Sequence, residues 1–374
     1  MCNADDLLDA AAAGLPAMLD RFRLLVDCES PSNDPPGLRR CAELIRPWLS
    51  EALGRSARAT RVGENIHVLA EAPDPRVLVL GHFDTVWPVG TTAERPFSIT
   101  DGIATGPGTF DMKGGIVQAL AAIGLLADAS HVSVLLTSDE ETGSASSRQL
   151  IEDQARKAGA VLVCEPAADG GAVKIGRKGL AAYRVAVTGR AAHAGLEPEL
   201  GVNAGVELAH QILAIAGLAS GDTSVVPAVL TGGTTVNTVP ETAECSVDAR
   251  SWSVADLERV DRAMFALTPR LPGARVSVTG GIARLPFEES SARGLYGEAE
   301  AAARELGIAP LRAVRSGGAS DGNFTAALGV PTLDGLGAVG AHPHARDEYV
   351  DVRAMPERAA LLAALLQRLR HRAG

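Results

Sequence analysis

The stretch VLVLGHFDTVWPVG, residues 77–90, sets four consecutive apolar residues directly ahead of a glycine, a histidine and an aspartate. A Val/Leu run bounded by Gly reads as a strand buried on both faces, as in a parallel sheet. Polar residues just past the carboxyl end of such a strand sit in the crevice where ligands bind. His82 and Asp84 are thereby placed for chemistry, although an ordinary strand exit with a hydrogen-bonded histidine has the same appearance. Other parts of the chain separate the two readings.

Downstream of this strand the pattern alternates: the helix KGGIVQALAAIGLLA, the strand VSVLLTS, the helix ASSRQLIEDQARKAG and the strand AVLVCE. That alternation predicts an α/β unit with a mostly parallel sheet. Upstream, LLDAAAAGLPAMLDRFRLLVD and CAELIRPWLSEAL carry helical apolar spacing. From about residue 176 the character changes. KGLAAYRVAVTGR, NAGVELAHQILAIAGLA, ETAECSVDARSW, ADLERVDRAMFALTP and ARVSVTGG read as strand, helix, strand, helix, strand, which predicts an inserted α+β domain with antiparallel strands, ferredoxin-like in order. The expected division is a discontinuous catalytic domain over 1–175 and 286–374, and an inserted lid or dimerisation domain over 176–285.

Whole-chain properties restrict the partners. At 374 residues two domains are expected. A net charge of -10 without a dense Lys/Arg cluster excludes the basic face that a nucleic-acid binder needs. The most apolar segment, GGIVQALAAIGLLADA, is too short to cross a bilayer, so no membrane role is expected. MCNADDLLDAAAAGLPAML has acidic residues where a secretory signal is basic, and the expected compartment is the cytoplasm. Cys2, Cys28, Cys41, Cys164 and Cys245 are scattered and odd in number, which argues against a disulfide framework.

Four further stretches repeat the form of the first, a polar residue at or just after a strand end. They are GPGTFDMKGG with Asp111, TSDEETGS with Glu140 and Glu141, VLVCEPA with Glu165, and GAHPHARDEYV with His342 and His344. Carboxylates abutting apolar strands are costly to bury without a positive partner, and most of these have no nearby Lys or Arg in sequence. Two histidines and three carboxylates suit a pair of divalent cations sharing one carboxylate. Zinc is the usual occupant of such sets, and manganese or cobalt satisfies the same donors. The doubled Glu leaves one carboxylate over to act as general base on a water between the ions. A phosphate cradle is the competing reading of GPGTFDMKGG, but the Lys-Ser/Thr ending of a P-loop is missing.

In GHFDTVWPVG, GPGTFDMKGG, SDEETGS, CEPA, GRAAHAGLEPELGVNA, SGGASDGNF and HARDEYVD, taken in order from about residue 75 to the C-terminus, the chain resembles the metallopeptidase superfamily of aminoacylases and carboxypeptidases. Within it the chain is most similar to the folate-cleaving glutamate carboxypeptidases, the carboxypeptidase G group. The resemblance implies a di-zinc exopeptidase with His82 and Glu165 on one ion, Glu141 and His344 on the other, and Asp111 bridging. Asp84 would orient His82 through its second ring nitrogen, and Glu140 would be the base. The usual spacing, a histidine four residues before a Glu (Glu348 here), selects His344 over His342. Related enzymes hold a cis peptide after the bridging aspartate.

In the inserted domain the resemblance gives His193 to the oxyanion, and Asn237 and Arg250 to the substrate carboxylate or the oxyanion. Arg284 is a further candidate whose surroundings match the family pattern less well. Read as residues alone, His193 is a surface histidine after a strand, and Asp321 in SGGASDGN is equally an N-cap or part of a substrate loop. His67, His131, His210 and His371 stand without companions and read as structural. The expected activity is cleavage of the amide bond to a C-terminal glutamate or aspartate of N-acyl, peptidyl or folate-like substrates. A deacylase of the acetylornithine or succinyl-diaminopimelate type is the alternative in the same chemistry. A homodimer through the inserted domain is also implied. A metal-free binding protein of this fold would lack a ligand, and no ligand is missing from the sequence; a two-metal phosphatase or nuclease is disfavoured by the acidic charge.

Overall fold

A computed structural model describes residues 4–370 of the chain, so Cys2 and His371 lie outside the described residues. The strands of the two main sheets are, in chain order, β1 (Arg58–Val62), β2 (Asn65–Ala70), β3 (Val77–His82), β4 (Val132–Thr137) and β5 (Ala160–Val163). Then follow β6 (Gly179–Thr188), β7 (Ser224–Gly232), β8 (Thr242–Ser251), β9 (Arg275–Arg284) and, much later, β10 (Thr332–Leu333).

The backbone divides into two units. One runs to Gly176 and resumes over Glu288–Ser316 and from Ser320; the other comprises Arg177–Phe287 and Gly317–Ala319. The short return of 317–319 to the second unit was not expected from sequence. Its local cause is Arg177, whose Nη1 donates to the carbonyls of Gly318 at 3.1 Å and Ala319 at 3.5 Å.

The sheet of the first unit has the order β1-β2-β4-β3-β5-β10. β3 pairs in parallel with β4 and β5, and β10 in parallel with β5, while β1 and β2 join antiparallel at one side. All six residues of β3 are buried, as the continuous apolar run requires. Each fully buried Val or Leu side chain contributes about 1.5–3 kcal/mol of transfer free energy. The helix Gly114–Gly124 is buried almost all round, which its uniformly apolar sequence explains. Gly115 lets it approach closely: a Cβ there would lie 2.1 Å from the Cys164 carbonyl oxygen. The first predicted helix is two, Ala4–Ala13 and Leu15–Asp27, divided at Gly14. The antiparallel β1–β2 pair, absent from the sequence reading, carries little apolar alternation on its exposed strand.

The second unit is a four-stranded antiparallel sheet in the order β7-β8-β6-β9, with helices Ala204–Ala216 and Val254–Phe265 in the connections. This βαββαβ order is the ferredoxin-like one. Its core joins alternate residues of the strands (Tyr183, Val185, Val247) to Leu208, Val260 and Met264 on the helices. β7 escapes a reading by pattern because Pro227 interrupts it. The proline is tolerated because β7 is an edge strand.

Candidate metal centre

Parallel pairing brings three loops to one edge of the first unit's sheet. His82 ends β3 opposite Thr137, the last residue of β4, and Leu80 stands opposite Val163, the last of β5. The residues that follow these strand ends, Asp84, Glu140 with Glu141, and Glu165, therefore emerge side by side. Asp111 enters from the turn ahead of helix Gly114–Gly124, where Gly108 at φ 71° makes a bend that a side chain would resist. His344 arrives on the loop between the short strands Gly340–Ala341 and Tyr349–Asp351.

The five expected ligands form two triads sharing Asp111: His82, Asp111 and Glu165, and Asp111, Glu141 and His344. Within each triad the donor atoms lie within 4.8 Å of one another. Asp111 turns one oxygen each way. Its Oδ1 is 3.2 Å from His82 Nε2, and its Oδ2 is 3.4 Å from His344 Nε2. His82 Nε2 also stands 3.4 Å from Glu165, and His344 Nε2 3.1 Å from Glu141. His342 points elsewhere and pairs with Asp347 at 2.7 Å. The peptide Asp111–Met112 is cis.

Asp84 does more than the sequence suggests. His82 Nδ1 is nearer the Asp84 main-chain oxygen, at 3.1 Å, than its carboxylate, at 3.4 Å. The fully buried carboxylate accepts instead from Ser32 Oγ at 2.7 Å and from the backbone N–H groups of Glu140 and Glu141 at 3.3 and 3.2 Å. One residue thus holds the His82 ring and fixes the turn Glu140–Thr142 that presents both glutamates.

Glu348, only a spacing landmark in the sequence, is fully buried and cradles the Asp111 turn. It accepts N–H bonds from Gly108, Phe110 and Asp111 at 2.8–3.0 Å and from the Trp87 indole at 3.0 Å. Lys113, also buried, ties the same turn to the Cys28 carbonyl at 2.9 Å. Neither role is visible in a motif, because both are contacts between residues more than eighty apart. Asp321 makes no capping bond; it is buried and accepts from Thr137 Oγ1 at 3.1 Å and from Ser144 Oγ.

The electrostatics fit a cation pair. Burial opposes a proton on His82, yet Asp111, Asp84 and Glu165 together raise its pKa well above the ordinary value. The hydrogen bonds of His344 to Asp111 and Glu141 raise its pKa to about 10. Burial pushes the Asp111 carboxyl up, but His344 and His82 outweigh it and hold it below the usual carboxylate range. Burial raises Glu141. The raised pKa values of the two imidazoles reflect the crowding of three carboxylates, whose charge a pair of divalent ions would offset on displacing those protons. Two nitrogen and three carboxylate donors are a set suited to zinc, manganese or cobalt.

The remaining expected residues belong to the second unit. His193 is exposed, and its Nδ1 accepts from the N–H groups of Gly195 and Leu196, both at 3.1 Å. A neutral ring so held carries its proton on Nε2 and is a donor there. Asn237 is exposed beside it in the chain fold, its carbonyl accepting from the Ala194 N–H at 2.9 Å. Arg250 is half-buried and paired with Asp248 at 3.0 Å, and Arg284 is buried at the end of β9. His67 and His131 are buried structural residues, bonded to Ser146 and the Leu366 carbonyl.

Residues 78–368 match the sequence profile of peptidase family M20/M25/M40. Carboxypeptidase G2 of Pseudomonas sp. (strain RS-16) is 32% identical over 384 residues, covering 97% of this chain and 92% of the relative. Succinyl-diaminopimelate desuccinylase of Acidiphilium cryptum is 32% identical over 355 residues, covering 88% and 93%. Among solved structures, an M20 family metallo-carboxypeptidase of Sulfolobus solfataricus is similar with a TM-score of 0.75 at 17% identity, over 94% of this chain and 99% of that one. A dinuclear metal binding peptidase of Bacillus subtilis is similar with a TM-score of 0.68 at 16% identity, over 95% and 98%. At such identities the likeness concerns the fold.

Proposed function

The chain belongs to peptidase family M20/M25/M40, and from that premise we propose that this metallopeptidase cleaves the amide bond to a C-terminal glutamate or aspartate of N-acyl, peptidyl or folate-like substrates. The observation that carries the chemistry is Asp111, with one oxygen facing each histidine. The similarity to carboxypeptidase G2 along nearly the whole chain supports the acidic leaving residue. Bound divalent ions, zinc foremost, supply Lewis acidity toward the scissile carbonyl and a water acidic enough to ionise near neutral pH. Glu140 takes the proton of the attacking water and delivers it to the leaving nitrogen. The Nε2–H of His193 is the donor for the developing oxyanion. Asn237, Arg250 and Arg284 hold the substrate, the guanidinium groups gripping its free carboxylate through paired hydrogen bonds.

Two further parts of the reading concern the protein's setting. The cytoplasm as compartment is supported by the free thiols of Cys28, Cys41, Cys164 and Cys245; among the described residues no helix is long and apolar enough to cross a membrane. The homodimer is supported by β7, an edge strand exposing Val226, Val229 and Leu230, with Leu213 exposed on the helix of the same unit. Light scattering behind size exclusion would show twice the chain mass, reverting to one chain in Val229→Asp.

The test of the activity is hydrolysis of a panel holding N-acyl glutamates and aspartates, folate, methotrexate, N-succinyl-diaminopimelate and N-acetylornithine, by zinc-loaded wild type and by Glu140→Gln. Wild type releases free glutamate, and the variant loses about 10²- to 10⁴-fold with metal content unchanged. Cleavage confined to the succinyl or acetyl diamino acids selects the deacylase reading, which the desuccinylase relative supports. No cleavage of either class with both ions bound contradicts the proposal.

A further inference from the structure

Beside the metal centre, the segment after β3 borders a half-open cavity of about 280 Å³ lined in part by Trp87, Glu94, Arg95 and Arg346. The Arg95 guanidinium lies 4.4 Å from the centroid of the Trp87 ring. Both of its terminal nitrogens are out of reach of solvent and have no hydrogen-bond partner among the described residues. A guanidinium stacked on an indole gains a cation–π contact, but its N–H donors stay unsatisfied. Buried polar groups left in that condition call for a reason. The acidic residue in the wall does not supply it, because Glu94 is paired at 3.0 Å with Arg346, and both side chains are largely exposed. Such an exposed pair is weak and readily exchanged. The cavity thus offers two guanidinium groups against one carboxylate already engaged.

We propose that this cavity is an anion-binding site in which Arg346, together with Arg95 once its side chain turns the terminal nitrogens out from the Trp87 face, receives a small carboxylate or oxyanion. Arg forks match both chemistries, each through two N–H bonds. The site is joined to the metal centre through a single side chain. Trp87 Nε1 donates to Glu348, and Glu348 accepts from the backbone of the bridging Asp111. Arg346 lies two residues from His344 in the same loop. An anion in the cavity is therefore sensed at the metal ligands whether it is part of a substrate or a free ion, and the site does not depend on which residue the enzyme releases.

The test reads Trp87 itself. In metal-loaded full-length protein carrying Trp48→Phe and Trp252→Phe, Trp87 is the remaining tryptophan, since the chain has three. Succinate and inorganic phosphate are titrated separately at constant ionic strength, with chloride as the control. The expected result is a saturable change in Trp87 emission, weakened about tenfold or more by Arg95→Gln and several-fold by Arg346→Gln. A response to succinate but not phosphate assigns the site to the carboxylate of an organic ligand. A response to phosphate assigns it to a free oxyanion. A response of equal affinity in wild type and Arg95→Gln belongs to the metal ions and overturns the proposal, as does the lack of any saturable response. If Arg95→Gln does not fold, an unchanged affinity in Arg346→Gln overturns it.

Discussion

The two triads of the metal centre share Asp111 and differ in nearly everything else. The His82 side belongs to the sheet: the ring is 2% exposed, its Nδ1 is held by Asp84, and Glu165 extends directly from β5. The His344 side belongs to the loops. Its ring is 49% exposed, its backbone sits at φ 62°, a conformation most residues avoid, and Glu141 rides on a single turn fixed through Asp84. A preformed position set in the core and a position assembled from loops are expected to bind metal with unequal strength, the inner one more tightly.

The largest effect is expected at the shared residue. Asp111→Ala removes a donor from both positions, so zinc content falls from two ions per chain to fewer than one, and hydrolysis drops at least as far as in Glu140→Gln, about 10²- to 10⁴-fold. Elemental analysis beside the activity assay checks this. The histidines should then separate the two sides. His344→Ala keeps one ion and costs less stability in the metal-free protein than His82→Ala does, because the His344 ring is half-exposed and screened, although its partner Glu141 is buried. His82→Ala strands buried carboxylates and should cost about 3–5 kcal/mol in urea unfolding. Equal costs would erase the distinction.

Smaller again is Glu348→Gln, which keeps the shape of the cradle under Asp111 but removes its charge. A supporting contact of this kind is worth about 10- to 100-fold in metal affinity or activity. The variant should bring both affinities down together, because the cradle holds the residue that both positions use.

The smallest effect is on pH dependence. The folded pKa of His344, about 10, lies above its ordinary value of 6.5. A raised histidine pKa stabilises the fold fully below the unfolded value, and that contribution is lost as pH rises through the folded one. Metal-free protein should thus lose stability between about pH 6.5 and 10 more than metal-loaded protein does. Urea midpoints at pH 6, 8 and 10 with and without zinc measure the difference, and parallel pH curves for the two forms would contradict it.

The same division explains what was legible in the sequence. β3, β4 and β5 are short apolar runs that end in histidine or are followed within two residues by an acid, so the parallel sheet and the residues at its edge could be read from periodicity and order. The choice between His342 and His344 could not be made from strand physics, because both sit in a loop at positive φ, and only the resemblance favoured His344. The Glu348 cradle and the several partners of Asp84 stayed hidden because each joins distant segments through backbone atoms, and the stack of Arg95 on nearby Trp87 because it uses a ring face that no motif records. In the second unit the helices were visible through their apolar spacing, and the structure adds side-chain caps at Asn203 and Ser253, whereas β7 was masked by its proline.

The most direct test of two unequal positions built on one shared carboxylate is a competitive zinc titration of chelator-stripped protein against a chromophoric chelator. The account predicts two equivalents bound in two resolved steps, with the weaker step missing in His344→Ala and both missing in Asp111→Ala. A single equivalent in wild type, or two steps that survive Asp111→Ala, would contradict it.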